Sequence, residues 1–133
     1  MLNNTMDIKS AQNLIQDALN DIKTLSPSEA LELSKNERCI LIDIRDGVEI
    51  QKFGKVENSF HISRGLLEFS IHPDSVYVQN NNLDLSKEIV LFCAAGGRSA
   101  LAVKTLKEMG FKKVSHIDGG FGLMSNSGFK IIK

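Results

Sequence analysis

The sequence predicts an α/β fold in which a parallel sheet carries helices on both faces, with an extra amphipathic helix at the N-terminus. Two apolar runs, residues 39–44 and 89–92, contain almost no alternating polar residues, which is typical of parallel strands covered on both faces. Segments whose apolar residues recur every three or four positions separate these runs, and that spacing predicts helices. Strands and helices therefore alternate along the chain, the pattern of a sheet with helices on each side.

The first predicted helix covers residues 8–22, because its apolar residues share one helical face. These residues are Ile8, Ala11, Leu14, Ile15, Ala18, Leu19 and Ile22. We divide the chain into an N-terminal helical extension, residues 1–21, and one domain, residues 22–133. Ser26 and Glu29 flank Pro27 as a capping box, which predicts the start of the second helix. The strand at 39–44 then ends in polar residues, at the sheet edge where α/β proteins bind ligands.

The remaining elements continue the alternation. We predict, in order, a short strand at residues 60–62, a short helix at 64–69, a long surface loop at 71–85, a strand at 89–92, a helix that ends at Gly110, a strand at 113–117 and a closing helix from residue 118. Pro73 and the asparagines at 80–82 are the reason for the loop, which we expect to border the site. Gly110 suits the left-handed position that follows a helix.

Length and charge restrict the class of protein. The chain has 133 residues, of which 42% are hydrophobic and 24% charged, enough for one domain with its own core. Sixteen acidic residues balance sixteen basic ones. We therefore expect no nucleic-acid partner and no attraction to an anionic membrane surface.

The cysteine content and the hydropathy of the sequence predict the cellular compartment of the protein. The two cysteines, Cys39 and Cys93, are too few for a disulfide scaffold and have no zinc-ligand spacing, so we expect no metal or other cofactor. Cys39 begins a strand, at the end opposite to the expected site. The chain shows neither a signal sequence nor an apolar run near the ~18 residues of a membrane span. We expect a cytoplasmic protein.

The segment from Cys93 to Ser99 carries the main functional signal. Cys93 ends a predicted strand and a helix begins soon after it, so the first amides of that helix have no partners within it. These amides and the helix dipole stabilise a thiolate, the nucleophilic form of cysteine. Gly96 and Gly97 permit a tight backbone turn around the sulfur. Arg98 places a positive charge at the helix start, where it can face an anion.

We interpret Cys93 as a nucleophile and Arg98 as the residue that orients an anionic substrate. Ser99 is expected to cap or brace the loop rather than to react. The interpretation requires a sulfur that solvent can reach and amides that converge on it. The alternative is a cysteine that only packs in the core, with Arg98 in a structural ion pair.

Several segments resemble the rhodanese family of sulfurtransferases, in that family's order. They are residues 41–46, 61–69, 93–99, 109–111 and 116–121. The resemblance implies a rhodanese-like domain in which Cys93 accepts a sulfane sulfur as a persulfide and passes it to a thiophilic acceptor. It also implies that the loop binds the donor, through Ala94, Ala95, Gly96, Gly97 and Ser99. Arg64 and Glu68, four residues apart on the predicted short helix, are further binding candidates or an i,i+4 ion pair.

Loop length separates two kinds of cysteine enzyme. Six residues run from Cys93 to Arg98 inclusive, similar to rhodanese-like sulfurtransferases, whereas related phosphatases and arsenate reductases have a loop one residue longer. A smaller ring of amides suits one sulfur atom better than a tetrahedral oxyanion. Ser63 and Met124 stand where the family often has proline and tryptophan, a departure that concerns packing more than the reacting sulfur.

The other polar residues are interpreted as structural. Asp43 and Arg45 follow a core strand, and we expect them to pair with charged groups and fix the loops. His61 and His116 are interpreted as hydrogen-bonded residues at strand ends rather than as bases, and His72 as a solvated loop residue.

Two other functions stay open at this point. One is a cysteine phosphatase or arsenate reductase that uses the same kind of nucleophile. The other is a non-catalytic module that keeps the fold and recruits a partner through the N-terminal helix. For a sulfurtransferase, the expected partners are a small-molecule sulfur donor and a thiol or other thiophilic acceptor, either small or a protein. The sequence does not indicate an oligomeric state.

Overall fold

The computed structural model describes residues 7–133, so residues 1–6 of the predicted extension lie outside it. The described residues form seven strands: β1 Lys23–Leu25, β2 Cys39–Asp43, β3 Lys55–Val56, β4 Phe60–His61, β5 Glu88–Phe92, β6 Val114–Ile117 and β7 Ile131–Ile132. Five of them form a parallel sheet in the order β1-β6-β5-β2-β4, and β3 pairs with β7 in a small antiparallel sheet. The predicted parallel sheet is confirmed.

Helices pack against the sheet, and apolar clusters bury both of its faces. The helices are α1 Ala11–Leu19, α2 Pro27–Lys35, α3 Gly47–Phe53, α4 Leu67–Ser70, α5 Val76–Asn80, α6 Gly97–Met109 and α7 Gly120–Met124, with a 3-10 turn at Arg64–Leu66 before α4. Ile40 and Ile42 belong to one apolar cluster and Leu41 to the other. Because successive residues of a strand point to opposite faces, this division confirms that the strand is covered on both sides.

Local signals in the sequence place several helix ends correctly. Ser26 caps α2, and its hydroxyl and the Glu29 carboxylate exchange hydrogen bonds with each other's backbone amides, which confirms the capping box. Gly110 follows α6 with a φ of 109°, in the left-handed region that glycine adopts without strain. The start of α1, predicted at residue 8, lies instead at Ala11, where Ser10 caps the helix and accepts a hydrogen bond from the Asn13 amide.

The N-terminal helix lies against α6 of its own chain. Ala18 is fully buried, and Ile15 lies so close to Gly97 that a side chain at position 97 would contact it. The Lys107 ammonium donates a hydrogen bond to the Asp21 carbonyl, 2.5 Å away. The extra helix therefore packs beside the loop that follows β5. The boundary between an extension and a domain at residue 22 stays a prediction.

Two other sequence-based boundaries were wrong. The predicted loop at 71–85 contains α5, which begins where the Ser75 hydroxyl accepts a hydrogen bond from the Val78 amide. The first predicted helix was too long, since α1 ends at Leu19 and β1 follows at Lys23. Both α5 and β1 are short and bury one residue each, too few for a periodic pattern.

Among the described residues, no helix has the length and apolarity needed to cross a bilayer.

Candidate active site

The loop after β5 wraps around the Cys93 sulfur. The backbone amides of Gly96 and Ser99 donate hydrogen bonds to Sγ, at 3.2 and 3.3 Å. Gly96 precedes α6 with a φ of 108°, which a residue with a side chain would adopt only under strain. The predicted convergence of helix-start amides on the sulfur is therefore present, and these two amides stabilise negative charge there.

The turn before α7 holds the outer side of this loop. The Phe121 amide donates to the Cys93 carbonyl at 2.8 Å, and the Gly122 amide donates to the Ala94 carbonyl at 3.1 Å. A side chain on Gly120 would place its Cβ 2.3 Å from the Cys93 carbonyl oxygen, so only glycine allows this approach. The start of α7 thus fixes the peptide planes that lead into the loop.

Cys93 is almost completely buried. Only 1% of its surface is exposed, and it belongs to an apolar cluster with Ile44, Ile62 and Leu67, whereas Ala95 on the same loop is exposed. The expected access of solvent to the sulfur is absent, because Cys93 packs in this apolar cluster and lies under the amides of its own loop. A donor can reach Sγ only if part of this cover moves.

Arg98 forms a bidentate ion pair with Glu49 of α3. Its Nη1 and Nη2 donate to the two carboxylate oxygens at 2.8 and 2.9 Å. The hydrogen bond from Arg98 is the main reason that the pKa of Glu49 falls to about 2, and the carboxylate in turn raises the pKa of Arg98. The structural ion pair considered for Arg98 is therefore present. A guanidinium has five N–H groups, and Glu49 takes two of them.

Glu49→Gln is expected to lower the free energy of unfolding by about 1 kcal/mol at neutral pH, since the ion pair is partly exposed and screened by solvent. Glutamine can still accept the hydrogen bond that Glu49 takes from the Asp46 amide, so the loss reports the ion pair. Because the pKa of Glu49 is depressed from 4.5 to about 2, the wild-type advantage is complete above about pH 4.5 and disappears as the pH falls towards 2. Urea unfolding across this range measures it. A difference that stayed constant down to pH 2 would contradict the assignment.

The Ser99 and His116 side chains lie within hydrogen-bonding distance of each other. The Ser99 hydroxyl can donate to the Gly96 carbonyl, 3.2 Å away, and lies 2.9 Å from His116 Nδ1. His116 Nε2 lies 3.0 Å from the Thr24 hydroxyl. Burial lowers the pKa of His116, which favours the neutral imidazole at pH 7.

Asp43 and Arg45 form a buried ion pair with each other. Arg45 donates to the Asp43 carboxylate through Nε and Nη2, with the closest contact at 2.8 Å, and both side chains are 1% exposed. Arg45 also donates to the Gly54 carbonyl and lies 3.9 Å from the ring centroid of Phe121. The pair connects the end of β2 to the first turn of α7, and its structural role stays a prediction.

The remaining candidates lie outside the loop from Cys93 to Ser99. Arg64 and Glu68 form the predicted i,i+4 ion pair at 3.4 Å on a partly exposed segment, and their part in donor binding stays a prediction. His61 Nε2 lies 2.7 Å from the Arg45 carbonyl, and His72 is exposed. Cys39 lies at the opposite end of the sheet, where burial raises the pKa of its thiol to about 11.

Sequence reasoning missed two polar partners of the site, Glu49 and Thr24. Asp46 and Glu49 form a capping box at the start of α3, and the spacing of these two acidic residues was the signal that could have predicted this helix. Thr24 pairs with His116 across β1 and β6. Since 92 residues separate them, no local pattern connects the two.

Comparison with known proteins identifies the family by sequence. The model of the rhodanese-like domain matches residues 26–126. The thiosulfate sulfurtransferase GlpE of Pseudomonas putida (strain GB-1) is 30% identical over 105 residues, which are 79% of this chain and 86% of that protein.

Two solved structures agree with this match. A protein of unknown function from Rhodopseudomonas palustris, described as a possible tyrosine phosphatase, is 40% identical with a TM-score of 0.82, over 93% of this chain and 95% of that one. The polysulfide-sulfur transferase homodimer of Wolinella succinogenes is 35% identical with a TM-score of 0.70, over 90% of this chain and 84% of that one. From its fold, its cysteine loop and these similarities, the chain belongs to the rhodanese-like family of sulfurtransferases.

Proposed function

We propose that this protein carries a sulfane sulfur as a persulfide on Cys93 and transfers it to a thiophilic acceptor. The observation that carries the proposal is the pair of amides, from Gly96 and Ser99, that donate to Sγ. Such an arrangement favours the thiolate that must attack, and it is already oriented before the reaction begins. The similarity to a thiosulfate sulfurtransferase and to a polysulfide-sulfur transferase supports thiosulfate or a persulfide as the donor.

The reaction proceeds in two sulfur transfers. The Cys93 thiolate attacks the outer sulfur of the donor, so that a new sulfur–sulfur bond forms while the donor's own bond breaks and sulfite or a thiolate leaves. The loop amides stabilise the negative charge that the terminal sulfur then carries. In the second transfer an acceptor such as cyanide or a thiolate attacks that outer sulfur and regenerates the Cys93 thiolate. The N–H groups of Arg98 that Glu49 does not take orient an anionic donor.

A second candidate is hydrolysis of a phosphate ester. It is favoured by the 40% identity to the protein described as a possible tyrosine phosphatase. The six residues from Cys93 to Arg98 support sulfur transfer instead, because a short loop encloses a single atom more closely than a tetrahedral anion. The two reactions give different products, so a direct assay separates them.

Cys93→Ser is expected to abolish sulfur loading, because a serine hydroxyl cannot form the persulfide. The measurement is the intact mass after exposure to thiosulfate, followed by thiocyanate release on addition of cyanide. The wild-type chain should gain one sulfur atom and lose it to cyanide. Cys39→Ser is the matched control and should load normally, since that thiol lies at the far end of the sheet.

Other outcomes identify the alternatives. Release of phosphate from an aryl phosphate without thiocyanate formation would assign the protein to the phosphatases. A wild-type chain that neither gains sulfur nor releases phosphate would favour the non-catalytic binding module. Loading that persists in Cys93→Ser but fails in Cys39→Ser would move the persulfide to the other cysteine.

A further inference from the structure

Three polar side chains connect the Cys93 sulfur to the protein surface. Ser99 Oγ lies 3.6 Å from Sγ, His116 Nδ1 lies 2.9 Å from Ser99 Oγ, and Thr24 Oγ1 lies 3.0 Å from His116 Nε2. Ser99 and His116 are 0% and 2% exposed, whereas Thr24 is exposed to solvent. The line therefore begins at a buried thiol and ends at water.

The burial of Cys93 creates a need for such a line. A thiol must lose its proton before it attacks a donor, and at 1% exposure it cannot pass that proton directly to bulk water. The ionisable side chain that joins this line is His116. The charged group that acts on it is Asp118, two residues further along the chain, and its register partners on the adjacent strands are Thr24 and Leu91.

Every member of the line can both donate and accept a hydrogen bond. A hydroxyl group has one hydrogen and free lone pairs, and a neutral imidazole has one N–H and one unprotonated nitrogen. In one orientation the Cys93 thiol donates to Ser99, Ser99 donates to His116 Nδ1, and His116 Nε2–H donates to Thr24. In the reversed orientation Thr24 donates to Nε2, Nδ1–H donates to Ser99, and the Ser99 hydroxyl donates to a Cys93 thiolate. The Gly96 carbonyl, 3.2 Å from Ser99 Oγ, is the competing acceptor.

We propose that Ser99, His116 and Thr24 form a proton relay that deprotonates Cys93 while its sulfur is still covered. The thiol proton moves to Ser99 Oγ and the Ser99 proton moves to His116 Nδ1. The Nε2 proton then moves to Thr24 Oγ1, and the Thr24 proton moves to water. One proton reaches the solvent, one thiolate forms, and each relay member remains neutral. The relay rests on the proposed sulfurtransferase function, and it supplies the nucleophile for the first transfer.

Thr24→Val tests the relay at its water end, outside the loop that holds the sulfur. Valine keeps the shape and the strand preference of threonine but removes the hydroxyl. We expect the first, rapid release of sulfite from thiosulfate, which accompanies persulfide formation on Cys93, to be about tenfold slower near pH 6. This effect is smaller than the roughly hundredfold effect of an acid–base group that contacts the reacting atoms directly. Near pH 10, the abundant hydroxide can take the thiol proton whenever the cover opens to admit the donor, so the relay is no longer needed and the variant should match the wild type. Thr24→Ser, which keeps a hydroxyl, should restore the wild-type pH profile.

The outcomes separate the relay from a structural role and from the proposed function. Equal rates for Thr24→Val and the wild type at both pH values would overturn the relay, and so would an equal reduction at both, which indicates structural damage. Alkylation of Cys93 by iodoacetamide reports the same proton loss without sulfur transfer. If the wild type takes up no sulfur but Thr24→Val still alkylates more slowly near pH 6, the relay stands and the sulfurtransferase proposal fails. His116→Phe, checked for folding by urea unfolding, should repeat the Thr24→Val pattern.

Discussion

Replacing Gly120 with alanine is expected to slow persulfide formation on Cys93 about a hundredfold, because a displacement of about 1 Å in a catalytic site can cost about that factor in rate. Gly120 has a φ of 53° and its added Cβ would lie 2.3 Å from the Cys93 carbonyl oxygen and 2.9 Å from the Ala94 carbonyl carbon. Both neighbours are backbone atoms, which cannot rotate away as a flexible side chain would. The first turn of α7 and the loop must therefore separate.

The separation weakens the bonds that orient the loop. The Phe121 and Gly122 amides donate to the carbonyls of Cys93 and Ala94, and these bonds hold the peptide planes that lead to the amides on Sγ. The strained backbone alone costs about 1–3 kcal/mol, so urea unfolding should also show a loss. The rate of persulfide formation is measured as the rate of the first release of sulfite after thiosulfate is added.

Gly122→Ala is the matched control on the same helix. Its Cβ would lie 3.6 Å from the Ala94 carbonyl oxygen, an ordinary contact, and alanine suits a helical position better than glycine does. We expect wild-type activity and equal or greater stability. If both variants lost activity to the same degree, close packing at Gly120 would not be the cause.

The parallel strands were predictable because their signal is local and strong. The strands β2 and β5 bury four residues each, with little polar alternation, and such runs are found in strands covered on both faces. The capping box at Ser26 and the glycine after α6 were equally readable, since each is a short pattern with one physical cause.

The helix and strands that the sequence did not predict contain few buried residues. Helix α3 has no fully buried residue, and β3 and β7 are two residues long. They are held by tertiary contacts, such as the ion pair from α3 to Arg98. Hydrophobic periodicity cannot reveal an element that has no buried face.

One part of the site was predictable from the local sequence, and another part was not. The convergence of amides on Cys93 follows from a strand-to-helix turn with glycines, which is a local pattern. The burial of the sulfur and the Thr24–His116–Ser99 line depend on which strands become neighbours, because β1 lies beside β6 in the sheet. Such contacts appear only once the chain has folded.

Arg45→Met is expected to lower the free energy of unfolding by about 3–5 kcal/mol, because it leaves the Asp43 carboxylate buried without its counter-charge. Both side chains are 1% exposed, so water does not replace the lost partner. Methionine fills much of the space of the arginine stem, and the loss therefore reports charge and hydrogen bonds more than a cavity. Urea unfolding at neutral pH measures the effect, which is among the largest expected for a single substitution in this chain.

The double variant Asp43→Asn/Arg45→Met decides whether the isolated charge is the cause. Asparagine removes the negative charge, and its side-chain oxygen can still accept from the backbone amide of residue 45, as Asp43 does at 3.0 Å. We expect the double variant to recover most of the stability and to stay about 1–2 kcal/mol below the wild type, since the buried Gly54 carbonyl has lost its donor. A double variant less stable than Arg45→Met alone would contradict this account.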